Sequence, residues 1–453
     1  MDAGALMRPA RTNNHDKGCT MTKAVYGCAF VTLAVAAAGG LATSANAGAF
    51  YLQEQSVRGA GRAFSGEAAD TGAASLWWNP AAMGGTKGID AAAGLSAILP
   101  RGNVDNVNTR IMRPGQAPAA VGGTQRSSNP INNGFLPSGA VAYGITPRLA
   151  VGIAVTSPFS FTTNSDSASW VRYTADKTKL RTYDLQPSVA FMLTPQLSLG
   201  AAVNVEHASA GLSNSLPNLS PLLPDGHQTL RGKAWDVGYS VGGQFRTGPV
   251  VVGLSYKSSV KHTLDGTVTT AGLLGPLAAQ NIVIPARASF RTPWQAIGGV
   301  RFAATDRLTI NGQIVRFGWN KFDAIRLGAP INAALPEGYR NTWSFAGGAD
   351  YAVTPRWTLR AGIQHDQTPT RNGQRDARVP DSDRWNFAGG TSYAIAQGLT
   401  LDLAASYIDF KNATIDRTTA AYAGTVVQTP ILVSGRVDGA HAVVLAAGAR
   451  LAF

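Results

Sequence analysis

The sequence predicts an all-β fold, namely a transmembrane outer-membrane β-barrel of about 14 antiparallel strands. Three observations favour this fold class. Apolar and polar residues alternate along many short segments, tight turns alternate with long polar stretches, and no run after residue 47 is apolar for long enough to span a membrane as a helix. A secreted soluble β-sandwich or solenoid is the alternative, but neither is expected to alternate its connections so regularly.

The alternation has a period of two residues, as in a strand with one apolar and one polar face. Between residues 197 and 206, the odd positions carry Leu, Leu, Ala, Val and Val, whereas the even positions carry Ser, Gly, Ala, Asn and Glu. Residues 357–364 and 399–409 repeat this pattern. The chain ends in a further alternating segment with Phe453 as its last residue, which resembles the signal read by barrel-assembly machinery.

The connections between these segments are of two kinds. Short turn signals occur at residues 146–148, 194–196, 247–249, 305–307, 354–356 and 396–398. Long polar or Gly/Pro-rich stretches lie between them, at roughly 100–138, 157–179, 208–229, 264–288, 324–341, 368–381 and 411–439. Short periplasmic turns and long outer loops are typical of an outer-membrane barrel, and one strand on each side of every connection gives about 14 strands.

Residues 1–47 are predicted to be a signal peptide, including a possible over-extended start before Met21. Lys23 provides a positive charge, residues 24–40 are apolar, and Ala45-Asn46-Ala47 matches a cleavage site. A single membrane anchor is the alternative, but the apolar run is short for a span. Both cysteines lie in this segment, so the mature chain is predicted to contain no thiol.

The composition narrows the choice of partners. The formal net charge is +13, yet no Lys/Arg run is interleaved with aromatic residues, so no nucleic-acid partner is expected. The basic residues are scattered singly, which favours a rim that faces outer-membrane lipid and lipopolysaccharide.

Residues 48–88 precede the predicted barrel domain, residues 89–453. This N-terminal segment is rich in small residues and does not alternate. It is too long and too apolar for a free tail, so the residues alone allow either a periplasmic helical cap or a plug, here called the hatch, inside the lumen. An empty lumen of this width would leak, because barrel diameter grows with strand number.

Several short motifs, in order along the chain, resemble the FadL-type outer-membrane transporters of long-chain fatty acids, a family that includes toluene-transporting relatives. The N-terminal motifs are Phe50, Leu52, Glu54, Gly59, Gly61-Arg62-Ala63, Ser65-Gly66-Glu67 and Asn79-Pro80-Ala81. The later motifs are Ser157-Pro158-Phe159, Trp170-Val171-Arg172-Tyr173, Gly253-Leu254-Ser255-Tyr256-Lys257-Ser258, Arg360-Ala361-Gly362 and Val379-Pro380-Asp381-Ser382-Asp383-Arg384.

The resemblance implies a monomeric fourteen-stranded barrel that is closed by the hatch and carries ligand passively. Outer loops would capture a long-chain fatty acid, an interior pocket reached by the N-terminus would bind it, and a kink in the third strand would release it sideways into the membrane. No cofactor is expected. An aromatic hydrocarbon is the alternative substrate.

The candidate binding residues follow from the needs of a fatty acid, which requires an apolar slot for its tail and a cation or amide for its carboxylate. Phe50 and Leu52 would reach the pocket from the hatch. Phe159 and Phe161 would line it, or would instead belong to an aromatic girdle at the membrane interface. For the head group, Arg172 and Arg340 are the candidates, and the alternative for each is a rim arginine paired with lipopolysaccharide or with a loop carboxylate.

Two apolar outer stretches and one hatch motif also have predicted roles. The outer stretches 212–223 and 271–284 offer apolar surface for ligand capture, or they pack on themselves as a small core. Asn79, Pro80 and Ala81 form a hatch motif with a predicted structural role, which is to end a hatch helix and hold it against the wall.

Catalysis has little support in the sequence. The histidines after residue 47 are dispersed, and the chain contains neither an HExxH nor a G-x-S-x-G motif. We therefore expect no enzyme activity and no metal site. An adhesin and a lipid-acting barrel enzyme remain the alternatives from other classes, whereas an open porin should lack a hatch-like N-terminal block.

Overall fold

The structure, a computed structural model, describes residues 49–453. The predicted signal peptide, residues 1–47, lies outside the described residues. Within them, the chain forms one closed antiparallel barrel of fourteen crossing strands, which confirms the predicted fold class. No helix in the described part of the chain is long and apolar enough to cross a membrane.

Ten of the fourteen crossing strands are continuous, and four consist of two segments separated by a short irregularity. The continuous strands are β1 (Ile89–Asn106), β5 (Gly134–Gly144), β8 (Lys177–Met192), β9 (Leu197–Leu216), β10 (Gly226–Thr247), β15 (Leu308–Phe317), β18 (Thr342–Thr354), β19 (Trp357–Asp366), β20 (Arg384–Ala396) and β23 (Thr429–Ala452). The interrupted strands are β6 with β7 (Leu149–Thr156, Ser160–Asn164), β11 with β12 (Val250–Lys257, Lys261–Ala271), β13 with β14 (Ile282–Arg291, Gln295–Ala303) and β21 with β22 (Leu399–Phe410, Ala413–Ala421).

The first and last strands close the barrel. β1 and β23 are antiparallel neighbours from the pair Asp90 and Ala452 to the pair Asn106 and Gly435. Short strands in the outer connections complete the sheet: β2 (Arg110–Ile111), β3 (Ala119–Ala120), β4 (Arg126–Ser128), β16 (Ala324–Leu327) and β17 (Ala333–Pro336). Closure leaves no sheet edge within the wall, which is what a strand-built span in lipid requires.

The outer face of the wall is apolar, as the alternation predicts. On β9, Leu199 and Val203 point outward and are 45% and 47% exposed, whereas the polar Ser198 and Asn204 on the other face are buried inside the barrel. On β21, Leu401 and Leu403 are exposed in the same way.

Three of the long outer stretches differ from the prediction, because more than half of each is strand: 208–229, 264–288 and 411–439. Strands β9 and β10 continue to Leu216 and from Gly226, so the predicted outer stretch 208–229 contains a connection of residues 217–225 only. Strands β22 and β23 likewise occupy most of 411–439. Above the membrane the ladder of backbone hydrogen bonds continues, but no lipid requires an apolar outer face there, so the alternation that marks a strand is lost.

Residues 49–88, the hatch segment, lie inside the barrel at the end with the short turns. They form α1 (Val57–Ala60) and short 3-10 helices at Glu67–Ala69, Ala73–Ser75 and Pro80–Met83, which contact the inner wall on several sides. Glycines of the wall allow this close approach. A Cβ on Gly253 would lie 1.9 Å from the carbonyl oxygen of Ala68, and one on Gly362 would lie 2.1 Å from that of Arg62.

Candidate functional site

An apolar cavity lies in the lumen between the hatch segment and the outer loops. The space open to the centre of a water-sized sphere is only about 60 Å³, well below the usual volume of small-molecule sites, so a long apolar ligand can enter only if part of the lining moves. The wall strands β8, β9, β10, β12 and β13 contribute its aliphatic side, and strand β7 and the connections after β15 and β19 contribute much of the rest. Its lining includes Leu180, Ala210, Leu212, Leu230, Leu264, Ala286, Ala288, Ile325 and Val379.

Phe50, at the start of the hatch segment, reaches this cavity and is 1% exposed. Its ring packs among four others, with centroid distances of 6.0 Å to Phe159, 5.8 Å to Phe161, 5.0 Å to Trp319 and 5.0 Å to Phe322. Three of these contacts are edge-on, an arrangement that aromatic rings favour. The N-terminal end of the hatch segment is therefore part of the cavity wall.

Two ionisable side chains, Glu337 and Arg378, also line the cavity. Arg378 contacts Asp376 at 3.4 Å, and its Nε is buried without a hydrogen-bond partner among the described residues. Burial, together with the nearby Asp376, raises the pKa of Glu337 to about 8, although Arg417 lies 3.8 Å away. At neutral pH this carboxyl is therefore mostly protonated, and the cavity contains one incompletely bonded cation.

A buried polar layer lies beneath the cavity. His262 packs against the cavity residue Phe290 with ring centroids 5.1 Å apart, and its two ring nitrogens lie 3.1 Å from Glu206 and 3.1 Å from Asp236. Deeper still, the Lys257 ammonium donates to Gln186 at 3.0 Å. The apolar space thus ends at a hydrogen-bonded layer through which an apolar chain would pass only at a cost in desolvation.

The third crossing strand is interrupted beside the hatch. The ladder between β5 and β6 runs from Gly144 and Ala150 to Gly139 and Val155. The sequence Ser157-Pro158-Phe159 follows, β7 then pairs along β8, and the structure describes no ladder between β5 and β7. Pro158 contributes to the break because proline has no N–H to donate.

The hatch segment pairs with this break. The Leu52 N–H donates to the Pro158 carbonyl at 2.7 Å, and the Ser160 N–H donates to the Phe50 carbonyl at 3.0 Å. The side-chain amide of Gln55 donates to the Ser157 carbonyl at 3.2 Å and accepts from the Ser157 N–H at 3.3 Å. Backbone groups that a neighbouring wall strand would satisfy are thus satisfied by the hatch segment.

The opposite part of the hatch segment is held by ion pairs. The fully buried Arg62 guanidinium contacts Glu67, Asp70 and, at 3.2 Å, the wall residue Asp350. Arg301 of the wall joins the same group, at 3.3 Å from Asp70 and 2.9 Å from Asp350. Charges of both signs therefore bind the hatch segment to β14 and β18.

The predicted pocket residues are only partly brought together. Phe50 and Phe161 line the cavity, and Phe159 belongs to the aromatic cluster around Phe50. Leu52 points elsewhere, into a separate cluster with residues such as Ile98 and Val444 of the wall. Side chains two residues apart share a face only in a regular strand. Phe50 and Leu52 do not lie in one, so their side chains point to different places.

Neither predicted head-group arginine lies in the cavity. Arg172 pairs with Asp225 at 2.9 Å in the outer loops and lies over the Tyr173 ring. Arg340 is exposed, and its Nε donates to the Thr368 carbonyl at 3.3 Å. Their roles as carboxylate partners stay predictions. The sequence reasoning missed Arg378, which directly precedes the motif that begins at Val379, and it missed Glu337 altogether.

The hatch motif begins a helix and does not end one. Asn79 precedes the 3-10 helix Pro80–Met83, and its side chain accepts from the Ala81 N–H at 3.0 Å, while Pro80 occupies the first helical position. The expectation that the motif ends a helix is therefore wrong. The same Asn79 amide donates to the Ala68 carbonyl at 2.8 Å and to the wall carbonyl of Gly243 at 3.2 Å.

The two apolar outer stretches pack on each other and also leave apolar tips exposed. Leu216 is buried in one cluster with Leu273 and Leu277. By contrast, Leu222 is 92% exposed and Leu274 is 41% exposed. The two interpretations of these stretches are therefore both represented, as a small loop core and as accessible apolar surface above the lumen.

Comparison with known proteins identifies the family. The model of the outer membrane protein transport protein family (OMPP1/FadL/TodX) matches residues 39–453. The chain belongs to this family. Its members are outer-membrane transporters of hydrophobic molecules, which confirms the resemblance drawn from the motifs and the predicted outer-membrane localisation.

Relatives that match most of the chain have different names. The chain is 27% identical over 430 residues to outer membrane protein P1 of Haemophilus influenzae, covering 84% of this chain and 89% of the relative. It is 25% identical over 407 residues to the long-chain fatty acid transport protein of Escherichia coli O6:H1, covering 81% and 88%.

Among solved structures, the fold resembles that of a FadL homologue from Pseudomonas aeruginosa. The TM-score is 0.78 at 24% identity, covering 90% of this chain and 100% of the other. The toluene transporter TbuX of Ralstonia pickettii gives a TM-score of 0.62 at 19% identity, with 88% and 98% covered. These likenesses show the fold and do not distinguish between substrates.

Proposed function

We propose that this transporter carries long-chain fatty acids passively across the outer membrane, through the apolar cavity beside the interrupted third strand. The observation that carries this proposal is the position of Phe50, whose ring helps to enclose the cavity while its backbone pairs with the break in the wall. Movement of one short segment would thus open the cavity and the wall together. The chain would act as a monomer and without a catalytic step.

Arg378 supports a substrate with a carboxylate. A buried carboxylate requires a hydrogen-bonded partner, because an unpaired buried charge is costly. The Nε–H of Arg378 has no hydrogen-bond partner among the described residues and could donate to the carboxylate. The neighbouring Glu337 is mostly neutral at pH 7, so its carboxyl group could also donate to an anion. The aliphatic side chains of the wall would contact the tail.

An aromatic hydrocarbon is the second candidate, and the ring cluster at the cavity favours it. Phe50, Phe161, Phe290 and Phe322 all contribute to the lining, and such rings pack favourably against a further ring. Similarity to a protein named as a toluene transporter supports this candidate, and similarity to one named as a long-chain fatty acid transport protein supports the first.

The exposed apolar tips of the outer loops would provide the first contact with ligand. Leu222 and Leu274 are exposed in the outer connections, and the Leu212 side chain at the base of one outer stretch lines the cavity. Ligand would move from these tips into the cavity and then leave through the break between β6 and β7.

A reversible disulfide tests the lateral route. Tyr51 and Phe159 are direct partners in an antiparallel bridge, a spacing that a disulfide can span. We expect the double variant Y51C/F159C to carry fatty acid into liposomes when reduced and to be blocked when oxidised. A second disulfide, A201C/V241C, joins neighbouring wall strands and is the control, since it should not alter transport in either state. Equal transport by the oxidised and reduced Y51C/F159C protein would exclude release through this break.

A further inference from the structure

The outward faces of β8 and β10 carry four basic side chains at the same height of the barrel. Lys179 and Arg231 flank Gly211 of the intervening strand β9 in one row of paired residues, and Arg181 and Lys233 flank Ser209 in the next row. We call the four basic residues Lys179, Arg181, Arg231 and Lys233 the basic ladder.

Alternation along the strands places the basic ladder on the outside of the wall. Residues an even number of positions away, Leu185 on β8 and Val237 on β10, are exposed apolar side chains of the outer face. The backbone of Lys179 and Arg231 borders the cavity, but the Cγ of Arg231 lies 3.9 Å from where an outward Cβ on Gly211 would be. The charged groups therefore face the surroundings of the barrel and not its lumen.

An aromatic row marks the height of the ladder relative to the membrane. The next row of paired residues toward the short turns is Tyr183, His207 and Trp235, with His207 and Trp235 rings 4.8 Å apart. Below this row the outer face is apolar, over about 25 Å along the barrel axis. Aromatic girdles lie at the membrane–water interface, so the basic ladder lies at the head groups of the outer leaflet.

The basic ladder has no counter-charge within the protein. The structure of residues 49–453 gives no carboxylate within 4.0 Å of any of the four side chains. The nearest acidic neighbour in the same row is Asp265, opposite Lys233, but its carboxylate is paired with Arg287 at 2.8 Å. Like charges two residues apart along β8 and along β10, and across the intervening β9, repel each other, so an external anion stabilises this arrangement.

The shape of the patch fits a phosphate group above acyl chains. The central strand contributes only Gly211 and Ser209, so a shallow trough about 10 Å wide separates the basic side chains of β8 from those of β10. We propose that the basic ladder binds the phosphate groups of lipopolysaccharide, whose acyl chains lie along the apolar wall below the aromatic row. Arginine and lysine donate charge-assisted hydrogen bonds to phosphate oxygens, whereas a zwitterionic head group would leave the patch uncompensated.

The test is the affinity of the full-length protein in detergent micelles for purified lipopolysaccharide. The variant K179Q/R231Q/K233Q removes the three exposed members of the ladder. It is expected to bind about a hundredfold more weakly, on the basis of the usual contribution of each basic residue near an anionic surface. The variant R148Q/R307Q/R356Q removes the same charge from exposed short turns at the other end of the barrel and is the matched control.

Lipopolysaccharide from which the phosphates have been removed provides a second arm, and wild-type protein should bind it as weakly as the ladder variant binds the intact lipid. The proposal is overturned if the ladder variant keeps wild-type affinity, or if the turn variant loses as much. It is also overturned if the ladder variant loses affinity for phosphatidylglycerol vesicles by the same factor, because the patch would then be a general anionic surface. The variant R181Q/K233Q leaves the two residues that border the cavity in place and should weaken lipopolysaccharide binding about thirtyfold. Its fatty-acid uptake into liposomes without lipopolysaccharide should be unchanged, so failure here is separable from failure of the proposed function.

Discussion

The lumen contains two regions of opposite character. The region around Arg62 is filled by the hatch segment and dense in buried charge, with three carboxylates around one guanidinium. The region around Phe50 borders the cavity and is lined mainly by apolar side chains. Both lie inside one barrel, but the cavity is lined by β8, β9, β10, β12 and β13, whereas the Arg62 cluster contacts β14 and β18.

The difference between them lies in the cost of movement. Separating the Arg62 cluster would leave several charges unpaired in a low-dielectric interior, which is very unfavourable. Separating Phe50 from its neighbours exposes rings, and an apolar ligand can replace those contacts. The comparison suggests that the base of the hatch segment is an anchor and that its N-terminal end is the part that moves.

Removal of the anchor should have the largest effect. We expect Arg62→Met to destabilise the hatch segment by about 3–5 kcal/mol, because Glu67, Asp70 and Asp350 lose a shared cation. Ion conductance in planar bilayers should rise as the lumen opens, and the temperature of hatch unfolding should fall.

Arg126→Met is the matched control for this change, since it removes a pair with Asp105 whose arginine is 62% exposed. Exposed ion pairs contribute little to stability, so conductance and stability should be nearly unchanged. If the two variants behave alike, the buried cluster does not hold the hatch segment.

A smaller effect is expected at the cavity, where the change removes a single cation, Arg378. Arg378→Gln should weaken fatty-acid binding by about 1.5–3 kcal/mol, or roughly ten- to a hundredfold, and should leave an aromatic hydrocarbon unaffected. Binding of a fluorescent fatty acid would measure the first effect, and uptake of a neutral aromatic would measure the second. Phe50→Ala, by contrast, should alter both substrates together because it changes the shape of the cavity.

Arg340→Gln decides between the two arginines. The sequence predicts that Arg340 meets the carboxylate, and the geometry offers Arg378 instead. If Arg340→Gln weakens fatty-acid binding while Arg378→Gln does not, the partner is Arg340 and the cavity described above is not the head-group site. If neither variant changes it, the carboxylate is bound elsewhere or the substrate is the neutral aromatic.

The sequence predicts the barrel because the wall is built from a local rule. Lipid on one side and a filled lumen on the other impose alternation on every crossing strand, so Leu199, Leu403 and Leu445 can be assigned to the outer face without a structure. The rule fails above the membrane, where β22 and the outer half of β9 remain strands but have no lipid to face.

The cavity could be predicted only in part, because it depends on contacts between distant segments. Phe50 belongs to the motifs that resemble the family, and Phe161 follows one of them by two residues. Glu337 and Arg378 were not, because each lies in a polar outer connection and resembles an ordinary solvated charge. Only the folding of both connections over the lumen buries them together.

The smallest expected effect is a pH dependence at Glu337. Burial raises the pKa of this carboxyl to about 8, against about 4.3 for an unperturbed glutamate. Because the folded pKa is the higher one, the protonated form is favoured in the folded protein. This group's contribution to stability is therefore complete below about pH 4 and is lost as the pH rises toward 8.

Ionisation of Glu337 should weaken fatty-acid binding, whereas the charge of Arg378 should strengthen it. A fatty-acid carboxylate next to Glu337 is tolerated while Glu337 is neutral and is repelled once it ionises. If only the protonated form binds, affinity should fall about tenfold between pH 7 and pH 9, since binding above the pKa loses about one factor of ten per pH unit. Glu337→Gln keeps a neutral donor at all pH values, so its affinity should be flat over this range, whereas a neutral aromatic should show little dependence in either protein. If the affinity of the wild-type protein is as independent of pH as that of Glu337→Gln, the carboxylate does not approach this end of the cavity. If the affinity for the aromatic falls equally steeply with pH, the effect is due to hydration of the cavity and not to repulsion between charges.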